Sequence, residues 1–79
     1  MEKRMTITAI TGDWAGRYVD RESVTLILSE GTAAADIPEI LGIPRDEAGM
    51  IAVNGKAVPR EFRLSDKDIV KIFPAIIAG

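Results

Sequence analysis

The chain has 79 residues, 47% of them hydrophobic, and carries ten Lys and Arg against twelve Asp and Glu for a formal net charge of −2. It contains neither cysteine nor histidine, which excludes disulfides, thiolate nucleophiles, zinc and iron–sulfur ligand sets and a Ser–His pair. The apolar fraction suits one small folded domain with a net stability of about 3–5 kcal/mol, and the acidic balance offers no general field for nucleic acid. No apolar run approaches membrane-spanning length, and residues 1–4 (MEKR) lead into alternating Thr and Ile rather than a signal-peptide core. The expectation is a soluble cytoplasmic protein, with residues 1–79 as a single domain.

Residues 5–10 (MTITAI) are β-branched and largely alternating, which predicts a strand. Residues 23–28 (SVTLIL) repeat the pattern, with Val24, Leu26 and Leu28 on one face. The intervening Gly12, Asp13 and Gly16 are turn formers, so the two strands read as an antiparallel hairpin with a longer loop. Trp14 and Tyr18 in that loop read as an aromatic pair covering one end of the sheet, in preference to partner anchors.

A short helix follows. Asp36 and Glu39 have capping-box spacing, with Asp36 expected as the N-cap and Pro38 in the first turn. Ile37, Ile40 and Leu41 fall on one predicted face. Gly42 suits a left-handed C-terminal cap, and Pro44 prevents continuation. Such a helix cannot stand alone in water and must lie on the sheet.

Residues 50–53 (MIAV) predict a third strand, Asn54-Gly55 a type I′ turn, and residues 56–58 a short return, with Pro59 suited to an edge or a strand end. Phe62 and Leu64 read as core contacts. Residues 69–73 (IVKIF) predict the last strand, which Pro74 should end. Its apolar character suits a central position, parallel to the first strand. The whole reads as an α+β fold, a β-grasp (ubiquitin-like) architecture with a mixed four- to five-stranded sheet and one main short helix.

Three segments also resemble the ThiS/MoaD family of ubiquitin-like small sulfur carrier proteins. They are EGTAAADIPEILGIP (30–44), VNGKAVP (53–59) and LSDKDIVKIFPAIIAG (64–79). The last is similar to the family's ending, Leu-x-Asp-Gly-Asp-x-Val-x-x-Phe-Pro-x-x-x-Gly-Gly. Two positions depart from it: Lys67 stands at a turn glycine, and Ala78 replaces the first glycine of the terminal pair.

The resemblance implies a protein substrate rather than an enzyme. Residues 74–79 would be a C-terminal tail whose Gly79 carboxylate is adenylated by a ubiquitin-activating-type enzyme using ATP, then converted to a thiocarboxylate. The sulfur would pass to a sulfur-accepting synthase subunit in molybdopterin or thiamin-type biosynthesis. On this reading Phe73, Pro74, Ile76, Ile77 and Ala78 form the partner-binding tail, no residue is catalytic, no metal or cofactor is bound, and neither nucleic acid nor membrane is a partner. Glycine and other small residues suit a tail that must enter a narrow site.

The alternative is a noncovalent ubiquitin-like interaction module that has lost C-terminal activation because Ala78 replaces the usual glycine. Residues 74–78 (PAIIA) would then read equally well as a strand extension packed on the domain or as a docking tail. Asp46, Glu47, Asp66 and Asp68 are expected to serve turns and solubility rather than acid–base chemistry. Arg60, Arg63 and Lys71 are expected on a solvated face.

Overall fold

The structure, a computed structural model, describes residues 3–75. Its first strand, β1 (Arg4–Ile10), alternates strictly on its inner face, with Met5, Ile7 and Ala9 each 1% exposed. The pleat sends successive side chains to opposite faces, so this alternation decides which side takes the core. β2 (Ser23–Ser29) pairs antiparallel to β1, with Thr6 opposite Ile27 and Ile7 opposite Leu26. Val24, Leu26 and Leu28 are half-buried on the core side, as expected, while Ile27 faces away and is 66% exposed.

Five strands form one sheet in the order β2-β1-β5-β3-β4, where β3 is Ala48–Val53, β4 is Lys56–Val58 and β5 is Ile69–Pro74. β5 lies in the centre, parallel to β1 (Thr8 opposite Ile69) and antiparallel to β3 (Val53 opposite Val70). Parallel neighbours need a long crossover, and the chain supplies one containing β2, the short helix α1 (Asp36–Ile40), β3 and β4. The α+β, β-grasp class and the central last strand both follow the expectation. β3 starts two residues ahead of the expected Met50, and β5 continues through Pro74 instead of stopping before it.

The helix α1 (Asp36–Ile40) buries Ile37 and Pro38, and Ile37 and Leu41 join Met5, Ile7, Val70 and Ile72 in the core. Its C-terminal end is a Schellman motif, in which the Ile43 N–H donates to the Pro38 carbonyl at 2.9 Å and the Gly42 N–H to the Glu39 carbonyl at 3.0 Å. Gly42 takes the left-handed conformation this needs, with φ of +82°.

The helix start corrects the expectation. Asp36 is not the N-cap: it lies within the first turn, and its carboxylate accepts the Ala33 N–H at 3.2 Å behind it. The Ala34 and Ala35 N–H groups instead donate to the Phe62 and Arg60 carbonyls at 2.8 and 2.9 Å. The Asp36 and Ile37 N–H groups donate to the Ala33 and Ala34 carbonyls at 3.0 and 3.1 Å, so the turn begins ahead of Asp36. Ile40 is a second correction. It is 47% exposed, while Ile37 and Pro38 are the helix residues turned into the core.

Asn54 and Gly55 both have positive φ, +51° and +87°, as a type I′ turn requires. Lys67 also occupies the left-handed region, with φ of +71° at the turn where the resembling family has glycine. Leu64 is buried and Phe62 half-buried against the core, as expected.

Candidate functional site

The site of interest is where β5 leaves the sheet. Ile51 to Val53 pair with Ile72 to Val70 in one register, and Ala48 pairs with Pro74 in another. Between these pairings β3 takes three steps, Ala48 to Ile51, against two on β5, Ile72 to Pro74. The extra residue makes a β-bulge at Gly49–Met50, a device that bends a strand and redirects the chain beyond it.

Past the bulge the Ala75 N–H donates to the Glu47 carbonyl at 2.9 Å. Glu47 closes a 3-10 turn, Arg45–Glu47, which Pro44 introduces. Backbone passes so close to Gly49 that a Cβ there would lie 2.7 Å from the Pro74 carbonyl oxygen and 3.1 Å from the Ala75 Cα. Pro74 and Ala75 thus run beside residues 47–49, hydrogen-bonded to Glu47 and closely packed on the bare Gly49.

The Tyr18 hydroxyl donates to the Glu47 carboxylate, tying the β1–β2 loop to the same turn. That hydrogen bond pushes the Tyr18 phenol above its ordinary value of 10.0; desolvation and the Glu47 charge add to the rise, and Arg17 opposes it. Trp14 and Tyr18 are both half-buried against the core, consistent with their expected covering role. Glu47, expected to serve solubility, has this second role as a hydrogen-bond acceptor.

The acidic residues near β5 are consumed by the fold. The Thr6 N–H donates to Asp66 Oδ1 at 2.7 Å, and the Lys67 N–H donates back to the Thr6 carbonyl at 2.7 Å. The buried Asp68 accepts the Ser65 N–H at 2.7 Å on Oδ2 and the Asn54 side-chain amide at 2.9 Å on Oδ1. Asn54 Oδ1 accepts the Ile69 N–H at 2.9 Å, and the Asn54 N–H donates to the Ile69 carbonyl at 2.8 Å. The Asn-Gly turn is therefore clamped onto the start of β5. These carboxylates are turn acceptors, as expected, and are not a paired acid–base site.

Of the residues expected in the partner-binding tail, Phe73 and Pro74 lie at the end of β5 and are half-buried. Lys71 is exposed, with its Nζ 5.2 Å from the Phe73 ring centroid, a geometry worth about 0.5–1 kcal/mol at an exposed site. Arg63 donates to the Gly31 carbonyl at 3.0 Å. Ile76, Ile77, Ala78 and Gly79 lie outside the described residues. The sequence reading missed the roles of Gly49 and of the Glu47 carbonyl. A glycine inside an apolar strand pattern was the available signal, since it often marks a bulge or a close backbone approach.

An open groove of ≈ 560 Å³ runs between β2 and α1, lined by Arg4, Ile27, Leu28, Asp36, Glu39 and Ile40 among others. None of its lining residues belongs to β5 or to the turn that holds Ala75. No helix among the described residues is long and apolar enough to cross a membrane.

Sheet order, central β5 and the helix laid on the core define a ubiquitin-like β-grasp protein. The chain belongs to the Mut7-C ubiquitin family, whose profile matches residues 16–78. No curated protein matches it significantly.

Solved structures with the same fold include a protein of Pyrococcus furiosus assigned as molybdopterin converting factor subunit 1. That match has TM-score 0.73 and 20% identity, and covers 91% of this chain and 99% of that one. The HVO 2177 protein of Haloferax volcanii matches with TM-score 0.76 and 16% identity, covering 96% and 88%. Small archaeal modifier protein 1 of Haloferax volcanii matches with TM-score 0.71 and 15% identity, covering 91% and 99%. The likeness of this chain to MoaD-type proteins thus holds for its fold.

Proposed function

We propose that this protein is a sulfur carrier charged on its own C-terminal carboxylate. The supporting observation is the position of β5: the central strand of the sheet leads directly to Pro74 and Ala75, four residues short of Gly79. The domain then acts as a rigid handle, and the chemistry belongs to its end.

A carboxylate is a poor electrophile because its leaving group would be oxide. An adenylating partner removes that obstacle. One Gly79 carboxylate oxygen attacks the α-phosphorus of ATP, pyrophosphate leaves, and an acyl-adenylate forms. A sulfur nucleophile supplied by a persulfide or sulfide donor then adds to the carbonyl carbon and expels AMP, leaving a thiocarboxylate once any residual sulfur bond is reduced by a thiol. The chain itself contributes no catalytic group; it contributes docking and a terminus slim enough for the partner's site. Names among the similar structures, a molybdopterin converting factor subunit and a small archaeal modifier, are compatible with this class of use.

The test is intact-mass measurement after incubation with a cognate adenylating enzyme, ATP and a sulfur source. The expected product has one oxygen exchanged for sulfur at Gly79. An unchanged mass with a partner shown to charge another carrier refutes the reading. Ala78→Gly, run alongside, reports how far the alanine methyl slows charging.

Ala78 also favours a second reading, a noncovalent ubiquitin-like module. Complex formation that survives deletion of Gly79, from a chain that is never charged, would select it.

A further inference from the structure

Resting on the carrier reading, we infer that Gly49 and the Glu47 carbonyl form a guide that sets the line along which the chain leaves β5, and that Gly49 is a positioning residue for activation at Gly79. Gly49 is required for the space around it and not for its own backbone conformation. Its φ is not among the positive values of the chain, so its own backbone would tolerate a side chain. The atoms a Cβ would meet first are the main chain of Pro74 and Ala75, the Pro74 carbonyl oxygen at 2.7 Å and the Ala75 Cα at 3.1 Å. The glycine therefore serves the path of the last described residues, not the local turn.

The same segment also ties the departing chain down, two residues before Gly49. The Ala75 N–H is held by the Glu47 carbonyl at 2.9 Å, and the Glu47 side chain is held in turn by the Tyr18 hydroxyl. The bulge at Gly49–Met50 brings β3 round so that both contacts fall on consecutive residues of the departing chain. The exit is thus specified by the stretch of pairing that lies beyond the bulge.

Gly49→Ala must move the Pro74 carbonyl by about 0.7 Å, from 2.7 Å to the 3.4 Å at which ordinary contact begins. Over one Cα–Cα step of about 3.8 Å this is a turn of about 10° in the chain as it leaves β5. Reaction needs the attacking and attacked atoms within about 3–3.5 Å, and a misplacement of about 1 Å can cost about a hundredfold.

The experiment uses the full chain with two variants. Gly49→Ala blocks the path. Ala75→Pro deletes the donated N–H while leaving Gly49 and the core intact. Amide exchange by NMR on the protein alone is read at Ala75 in Gly49→Ala, with Ile51 to Val53 and Val70 to Ile72 as controls for the fold. Charging kinetics are read with the adenylating enzyme for both variants.

The expected results are at least tenfold faster exchange at Ala75, unchanged exchange at the control amides, and a kcat of charging at least tenfold lower with KM for the carrier within about twofold. Wild-type charging rates in both variants overturn the positioning role. Unchanged exchange at Ala75 in Gly49→Ala overturns the guide itself. If the wild-type chain is not charged at all, the carrier reading fails and the positioning role falls with it, while the exchange result still decides whether the guide exists.

Discussion

The clamp between the Asn54 turn and Asp68 should carry a large share of the stability of this small domain. Asn54→Gly preserves the left-handed backbone and removes only the side-chain bonds. One of these donates to the buried Asp68 carboxylate at 2.9 Å, and the other accepts the Ile69 N–H at 2.9 Å. A hydrogen bond to a charged group contributes about 1.5–3 kcal/mol, while a neutral bond whose donor can turn to water contributes about 0.5 kcal/mol. The expected loss is about 2–3 kcal/mol, against a total of about 3–5 kcal/mol for a domain of this size. At about 1.4 kcal/mol per factor of ten, the folded-to-unfolded ratio drops at least about thirtyfold.

Asn54→Ala should lose about 1 kcal/mol more, because positive φ is strained for alanine. The assay is urea unfolding at neutral pH, followed by Trp14 fluorescence and far-UV circular dichroism. A double-mutant cycle with Asp68→Ala should give a coupling of about 1–2 kcal/mol. A cost below about 0.5 kcal/mol for Asn54→Gly, or strict additivity with Asp68→Ala, would refute the assignment of this energy to the clamp.

Two other predictions concern the aromatic contact and the helix. Tyr18 is the single tyrosine of the chain, so tyrosinate absorbance reports it alone. Its folded-state pKa is raised above 10.0 by the Glu47 hydrogen bond, so the contact stabilises the fold below about pH 10 and is lost as pH rises through the folded value. Titration should end higher in the native chain than in urea, and Glu47→Gln should bring the two closer; identical midpoints would contradict the contact. In the helix, Ile37→Ala should cost about 2–4 kcal/mol, since Ile37 is fully buried. Ile40→Ala should cost under about 1 kcal/mol, since that side chain is 47% exposed. Equal losses in thermal unfolding would restore Ile40 to the core.

Much of the fold was legible because its signals are local. The alternation of Met5, Ile7 and Ala9, the Asn54-Gly55 turn and the Gly42 cap each depend on φ preferences or side-chain spacing within a few residues. The central place of β5 was legible too, from the fully buried Val70 and Ile72 within a short apolar run. The helix start was not. Asp36 can accept an N–H ahead of it or behind it, and the choice fell backward because the turn already begins at Ala33 and Ala34, whose carbonyls accept the Asp36 and Ile37 N–H groups. Ile40 was misplaced because spacing alone predicts a longer inward stripe than five residues on this sheet allow.

The C-terminal segment shows the same division. Sequence alone determined its chemistry: an apolar strand, a proline, small residues and Gly79, all properties of neighbouring residues. Only the tertiary structure decided how the chain leaves the sheet. Gly49 and Pro74 come within a Cβ's reach, and Glu47 meets Ala75, only after β3 and β5 have paired and the bulge has shifted their register. A distance between residues so far apart along the chain is set by packing, and no local preference encodes it.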